Sequence, residues 1–452
     1  MEKSSLQNEP VLKMLIKLIV PSFITIIVSS SYSIVDGIFI GKRFGIAGNN
    51  SFSYIFIIYS LVFSIACLIC QGAPSLLAIK MGENDVDGAE QVLGASIWSS
   101  IVLSIIQAIV VYLGLGFMIR LLVCDEAYID YVVQYFQIFL FFAPIYFVNH
   151  TLVFCLRSQG NVKLVFFCNV GSCLVNVILD PIFILGFDWG FRGAALATII
   201  ANLMSMLFCI WCYTRKKASA KIRLKYIRFR FKETKEMIGI GMASFLMNLL
   251  YSIILVAYNR IAKYYGGTYG IACMGINATL YKYLVVITNS ITVGMQPVIC
   301  YNFGGKKYDR VITGLKDSLL IGVAIALVCY VVIMVGAESV ISLFNSDPDF
   351  IPVGARSLKL VELCFPLQVF FNIGTAFFQY IDKGKIAAGF VFLRQVIIQI
   401  PVAFLLSSRI GVDGLWSSFW IADLGSFLVL LVFLLRIVQQ YRKERVVSDA
   451  SK

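Results

Sequence analysis

The sequence is short of charge. Only 14% of its 452 residues are Asp, Glu, Lys or Arg, against about 25% in a soluble domain. It holds a single histidine, His150, which excludes a His-rich metal centre. A packed or interfacial imidazole is then the default role, ahead of a proton relay. No G-x-x-x-x-G-K-[ST] segment is present, so nothing marks ATP hydrolysis. No nucleophile–base cluster stands out, which argues against an enzyme or an enzyme-like scaffold. The twelve cysteines show neither metal-ligand spacing nor a redox motif. Most of them, such as Cys67, Cys70, Cys168, Cys173 and Cys209, fall inside apolar runs, where cysteine acts as a small hydrophobe. Met1–Pro10 is polar and the first apolar run is long enough to span a bilayer, so no cleavable signal peptide is expected.

What fills the chain instead is apolar sequence, 59% of all residues. Runs of 20 or more apolar residues recur along it, which predicts an all-α polytopic membrane protein. Twelve spans are expected, from 11–39 through 128–156 and 236–261 to 413–437. Basic residues orient them. With both termini in the cytoplasm, the inside loops hold eighteen Lys and Arg, ten of them between Arg215 and Lys235, and the outside loops hold seven. That asymmetry obeys the positive-inside rule. It also accounts for the net charge of +13 without a nucleic-acid partner, because the cations are dispersed beside membrane spans. The basic connector between spans six and seven reads first as a topogenic linker drawn to anionic lipid.

The chain is also written twice. Gly72-Ala73-Pro74-Ser75 and Met81-Gly82 recur as Gly294-Met295-Gln296-Pro297 and Phe303-Gly304, 222 residues later. Pro144 and Pro366 share that offset. Leu179-Asp180-Pro181 followed by Gly190–Gly193 recurs as Gln399-Ile400-Pro401 followed by Gly411–Gly414. Duplicated apolar halves are a signature of transporters. The expected divisions are an N-terminal lobe over 1–213, a basic linker over 214–235, a C-terminal lobe over 236–437 and a tail over 438–452. Prolines at matching points of the two halves remove backbone hydrogen bonds and permit bends.

Ionisable residues inside spans cost at least about 2.5–3.5 kcal/mol each and so mark candidate sites. Asp36 lies in span one and Asp180 in span five. Asn176, four residues before Asp180, shares its helical face, and Thr198 lies in span six. Carboxylate, amide and hydroxyl oxygens suit Na⁺ and a shared proton equally well. The bland alternative is that Asp180 merely precedes Pro181 and Asp36 marks the mouth of its span. In the C-terminal half, Lys282 and Glu362 form one candidate ion pair, and Arg394 and Asp423 another, with structural pairing the simplest role. Aromatic faces attract organic cations. Candidates for a substrate cavity are Tyr32, Tyr146, Asn149, Tyr258, Lys282, Glu362 and Phe371.

Val35-Asp36-Gly37-Ile38-Phe39-Ile40-Gly41, Asn176-Val177-Ile178-Leu179-Asp180-Pro181 with Gly193–Thr198, and Gly294–Pro297 through Tyr301-Asn302-Phe303-Gly304 together resemble the multidrug and toxic compound extrusion (MATE) transporters over nearly the whole chain. The resemblance implies two six-helix lobes and export of amphipathic, often cationic compounds driven by Na⁺ or H⁺, without a cofactor. A monomer in a prokaryotic cell membrane is expected. In the DinF-like branch the cation site matches Asp36, Asn176, Asp180 and Thr198. A NorM-like branch uses acids in spans seven and ten, where this chain offers Asn259 and Arg260, and Glu362. A flippase of lipid-linked sugars within the same superfamily is the alternative. Twelve spans and a single candidate cavity cation, Lys282, speak against it.

Overall fold

A computed structural model describes residues 9–122, 128–215 and 218–450. Among them there is no strand, and nearly every residue is helical. Ten helices are long and apolar enough to cross a bilayer by themselves. Ile129–Phe141 and Ala143–Ser158, bent by 63° where they join, make an eleventh crossing. The bend falls at Pro144, near the start of the second helix. Its repeat partner Pro366 likewise starts the second half of a broken span, Phe350–Val361 followed by Phe365–Tyr380.

The twelfth crossing comes from dividing Phe231–Gly304. At 74 residues this helix would be roughly 110 Å long, far beyond one bilayer. It breaks at Gly267, where φ is 55° and ψ −141°. The run Val11–Cys70 breaks at Gly45 in nearly the same conformation, φ 61° and ψ −142°. A side chain would clash with the backbone there, so glycine is what lets each run turn back. The two sites are again 222 residues apart. Spans one and two thus share the first run, and seven and eight the second.

Large side chains are exposed along the spans in a way water would not tolerate. Tyr308–Ser342, span nine, leaves Leu320, Val328 and Val335 uncovered, Val335 to 84%. A stripe of that kind is a lipid-facing surface, since lipid tails replace water as its solvent.

The described residues form two compact units, one holding Val20–Asn248 and the other Glu9–Ile19 with Leu249–Lys452. These units differ from a cut at the linker. The first turns of span one cluster with the C-terminal unit, and the first turns of span seven, up to Asn248, with the N-terminal one. The exchange is reciprocal. A Cβ on Gly72 would overlap the carbonyl oxygen of Met237. A Cβ on Gly294, its repeat partner, would come within 2.6 Å of Ile19 Cγ1 and 3.0 Å of the Ile19 backbone. Both substitutions to Ala should therefore lower thermal stability in detergent, by about 1–3 kcal/mol as overpacking does. Gly72→Ala should be the worse, because the obstacle is immobile backbone. Equal melting of wild type and Gly72→Ala would show that these helices can separate at no cost.

The N-terminal core is aromatic. Tyr146 is buried against Tyr59, Phe139 and Phe147, with ring centroids 5.3 to 6.1 Å apart. In the C-terminal core Tyr258 packs edge-on against Phe419 at 5.4 Å, beside buried Trp416 and Phe350.

Candidate functional site

The N-terminal unit brings the four predicted oxygen donors into one buried neighbourhood. Asp36, Asn176, Asp180 and Thr198 are all buried, Asp180 completely. The helix Val162–Pro181 sets the register: its 3.6-residue turn places Asn169, Ser172, Asn176 and Asp180 along one stripe. Pro181 has no N–H to continue the helix, and the chain loosens there. Phe187 N–H reaches back five residues to the Ile182 carbonyl at 2.8 Å. Gly193 then packs against the backbone of Phe183 so tightly that a Cβ would sit 2.9 Å from it. That close approach brings span six, Gly190–Thr214, against span five and sets Thr198 beside Asn176.

The Asp36 and Asp180 carboxyls face each other closely enough to hydrogen bond. Asn176 Nδ2 donates a long bond of 3.4 Å to Asp180 Oδ1. Asp36 Oδ1, Asp180 Oδ2 and Asn176 Oδ1 are buried and receive no hydrogen bond from any described donor. Unfilled buried acceptors of this kind are costly unless something transient fills them. A proton or a hard cation fits that need. Among the described residues no three His, Cys, Asp or Glu side chains converge as a metal cluster, so the donor set is two carboxyls with neutral oxygens. Such a set suits a weakly held monovalent ion better than a structural divalent one.

Beside the pair lies a cavity of about 110 Å³, walled by Ser29, Asn149, His150, Asn169, Ser172, Asn176, Thr198, Asn202 and Ser205, with Val153, Cys173 and Ala201. It has room for several waters. Asn149 Nδ2 donates to Asn202 Oδ1 at 2.9 Å, and Asn202 Nδ2 to the Thr198 carbonyl at 2.8 Å. Asn176 and Thr198 belong both to this wall and to the acid neighbourhood, so they join the two. Asn169, Ser172, Asn202 and Ser205 were not singled out from sequence. The signal was the spacing of three and four among polar positions 169, 172, 176 and 180, and among 198, 202 and 205. His150, read as a packing residue, also lines this cavity while its ring meets Tyr146 edge-on at 4.4 Å.

The other cavity candidates are placed differently. Asn149 is on the wall just described. Tyr146, Tyr258 and Phe371 are buried in the packed interiors of their own units, and the side chain of Tyr32 lies outside the described residues. Lys282 has an exposed side chain. Glu362 is buried, and the charges that act on it are Asp423 and Arg394 rather than Lys282. Arg394 and Asp423 do pair: Nε and Nη2 both lie 2.7 Å from Asp423 Oδ1. The guanidinium is roofed by the Phe371 ring, 5.7 Å from its centroid.

Comparisons with known proteins bear on the family and the fold. The MatE family model matches residues 21–182 and again 243–405, so the family's own repeat falls on the internal duplication. Multidrug export protein MepA of Staphylococcus haemolyticus is 26% identical over 450 residues, covering 98% of this chain and 97% of that protein. Its namesake from Staphylococcus aureus strain MSSA476 is 26% identical, with 95% of each chain covered. The crystal structure of MATE in the bent conformation superposes with a TM-score of 0.91 at 21% identity, covering 98% of this chain and 99% of the other. A MOP superfamily transporter from Pyrococcus furiosus does so with a TM-score of 0.90, at the same identity and coverage. At that identity the structures establish a shared fold.

Proposed function

The chain belongs to the MatE family of transporters, and from that premise we propose that it is a secondary antiporter. It exports amphipathic, cationic organic compounds from the cell in exchange for H⁺ or Na⁺. One observation carries the coupling: two buried carboxyls, Asp36 and Asp180, face each other with unfilled acceptor oxygens beside a neutral polar cavity. Multidrug export is what the MepA relatives are named for, and their likeness to this chain supports the cargo class.

Two like charges in one low-dielectric site resist joint ionisation. The ionised pair therefore attracts a proton or Na⁺ from the outside, with Asn176 and Thr198 lending neutral oxygens. Once the ion is held, the repulsion between Asp36 and Asp180 is gone and span one is free to bend toward span five. That rearrangement expels the cargo, and release of the ion to the cytoplasm resets the lobe. The cell membrane is the setting, with both termini on the cytoplasmic face as the basic loops favour. A monomer suffices, because the proposed ion site lies within a single unit.

Purified protein in liposomes loaded with a fluorescent organic cation provides the test. Sodium and proton gradients are imposed separately. Export should be driven by at least one gradient, and adding cargo should release the corresponding ion. Cargo movement indifferent to both gradients would overturn antiport.

A further inference from the structure

The basic connector between the units' sequence halves is a folded strap with two unlike sides. Its inward side is used up in docking onto the start of span three, Val86–Leu122. Arg223 is ion-paired with Glu90, which is buried, and Lys221 N–H donates to the same carboxylate at 3.3 Å. The Tyr226 hydroxyl donates to Asp87. Arg230 donates to Gln91 at 2.8 Å and pairs with Glu233 at 3.1 Å. The Tyr226 backbone lies flush on Gly94, where any side chain would overlap its carbonyl. Glu90 and Glu233 are thereby paired with cations, and Asp87 accepts from a neutral hydroxyl.

The outward side keeps the remaining cations. The side chains of Lys221, Lys225, Arg228 and Lys232 are exposed. Lys225 Nζ lies 4.5 Å over the Tyr226 ring and its charge acts on Asp87, while Lys221, Arg228 and Lys232 make no side-chain ion pair among the described residues. Interleaved with them are Leu224, 85% exposed, Phe229, 60%, and Phe231, 69%. Exposed cations alternating with uncovered apolar side chains, on a segment whose two ends enter membrane spans, match one environment: a headgroup layer over acyl chains.

We propose that the outer face of 221–232 is a binding surface for anionic phospholipid in the adjoining leaflet, with the four cations on headgroup phosphates and Leu224, Phe229 and Phe231 dipping into the acyl boundary. Because the inner face grips span three while the chain runs straight into span seven, lipid bound here is mechanically tied to both.

Phe229→Trp supplies the probe. The variant is reconstituted into phosphatidylcholine nanodiscs doped with brominated phosphatidylglycerol or, separately, brominated phosphatidylcholine, and its emission is taken as the difference from the unsubstituted protein. Brominated phosphatidylglycerol should quench at several-fold lower mole fraction than brominated phosphatidylcholine. Each cation replaced by Gln should weaken that preference, roughly fivefold where the charge sits near the surface. The combined K221Q/K225Q/R228Q/K232Q substitution should bring the two curves together, and 0.5 M salt should do the same. Equal curves before any cation is removed would overturn the anionic preference. Absence of quenching by either lipid would overturn contact with the membrane, leaving the face to solvent or a protein partner.

Discussion

Asp180→Asn is expected to reduce gradient-driven export to the level of protein-free vesicles while the protein still inserts and folds. The amide keeps the shape of the carboxyl but carries no charge and takes no proton. It would leave Asp36 with a neutral neighbour, so the site no longer changes state when an ion arrives. A coupling free energy of about 1–3 kcal/mol corresponds to roughly 5–150-fold in the linked equilibrium, and removing it should remove at least that factor from ion-dependent transport. Asp36→Asn should do the same. Asp188→Asn is the control: Asp188 is an exposed acid paired at 2.8 Å with Arg43, where an ion pair contributes little. Its loss should leave transport intact. Measurement is of cargo flux in proteoliposomes under each imposed gradient. Full coupled flux by both Asp36→Asn and Asp180→Asn would end the assignment of the engine to the N-terminal unit.

Arg394→Met should be the most destabilising substitution in the C-terminal unit. It would leave Asp423 and Glu362 buried together without their cation, and breaking a buried pair by removing one partner costs about 3–5 kcal/mol. The expected signs are poor yield and a large drop in the detergent melting temperature. Combining it with Asp423→Leu should recover much of that loss, since replacing both members of a buried pair by apolar groups is often neutral. No recovery in the double variant would mean that the pair holds more than itself. Glu362 would then be the first place to look, because Arg394 is the cation that acts on it.

The sequence made the repeat legible wherever it is written in glycine and proline. Pro144 and Pro366 do mark broken spans, and the pairing of Arg394 with Asp423 follows from two opposite charges each needing relief from an apolar surrounding. Asp36, Asn176, Asp180 and Thr198 were legible as a set because oxygen-bearing residues are scarce inside spans, and the fold brings them together. The reciprocal exchange of the first turns of spans one and seven was not legible. It depends on long-range packing at Ile19 and Met237, and neither residue differs in type from its lipid-facing neighbours. The amide-lined cavity is illegible for another reason: the aromatics that suggest a cavity mostly fill the cores, while the cavity is lined by a polar stripe at helical spacing. Lys282 shows the limit of pairing by charge alone. Its side chain is exposed, while Glu362 answers to a cation 29 residues before Asp423 in span eleven.

The exchanged helix ends also bear on how the protein is made. Residues Glu9–Ile19 belong to a unit whose remaining residues begin only at Leu249. The earliest membrane segment to leave the ribosome therefore waits through more than half of translation for its packing partners, although domains otherwise tend to fold as they emerge. Severing the gene at the linker would yield two fragments each missing a piece carried by the other. Co-expressed halves cut there should need one another to accumulate, whereas halves cut within an ordinary loop of either unit would part company along a different line. The duplicated chain is thus interlaced, and its two copies cannot be finished one at a time.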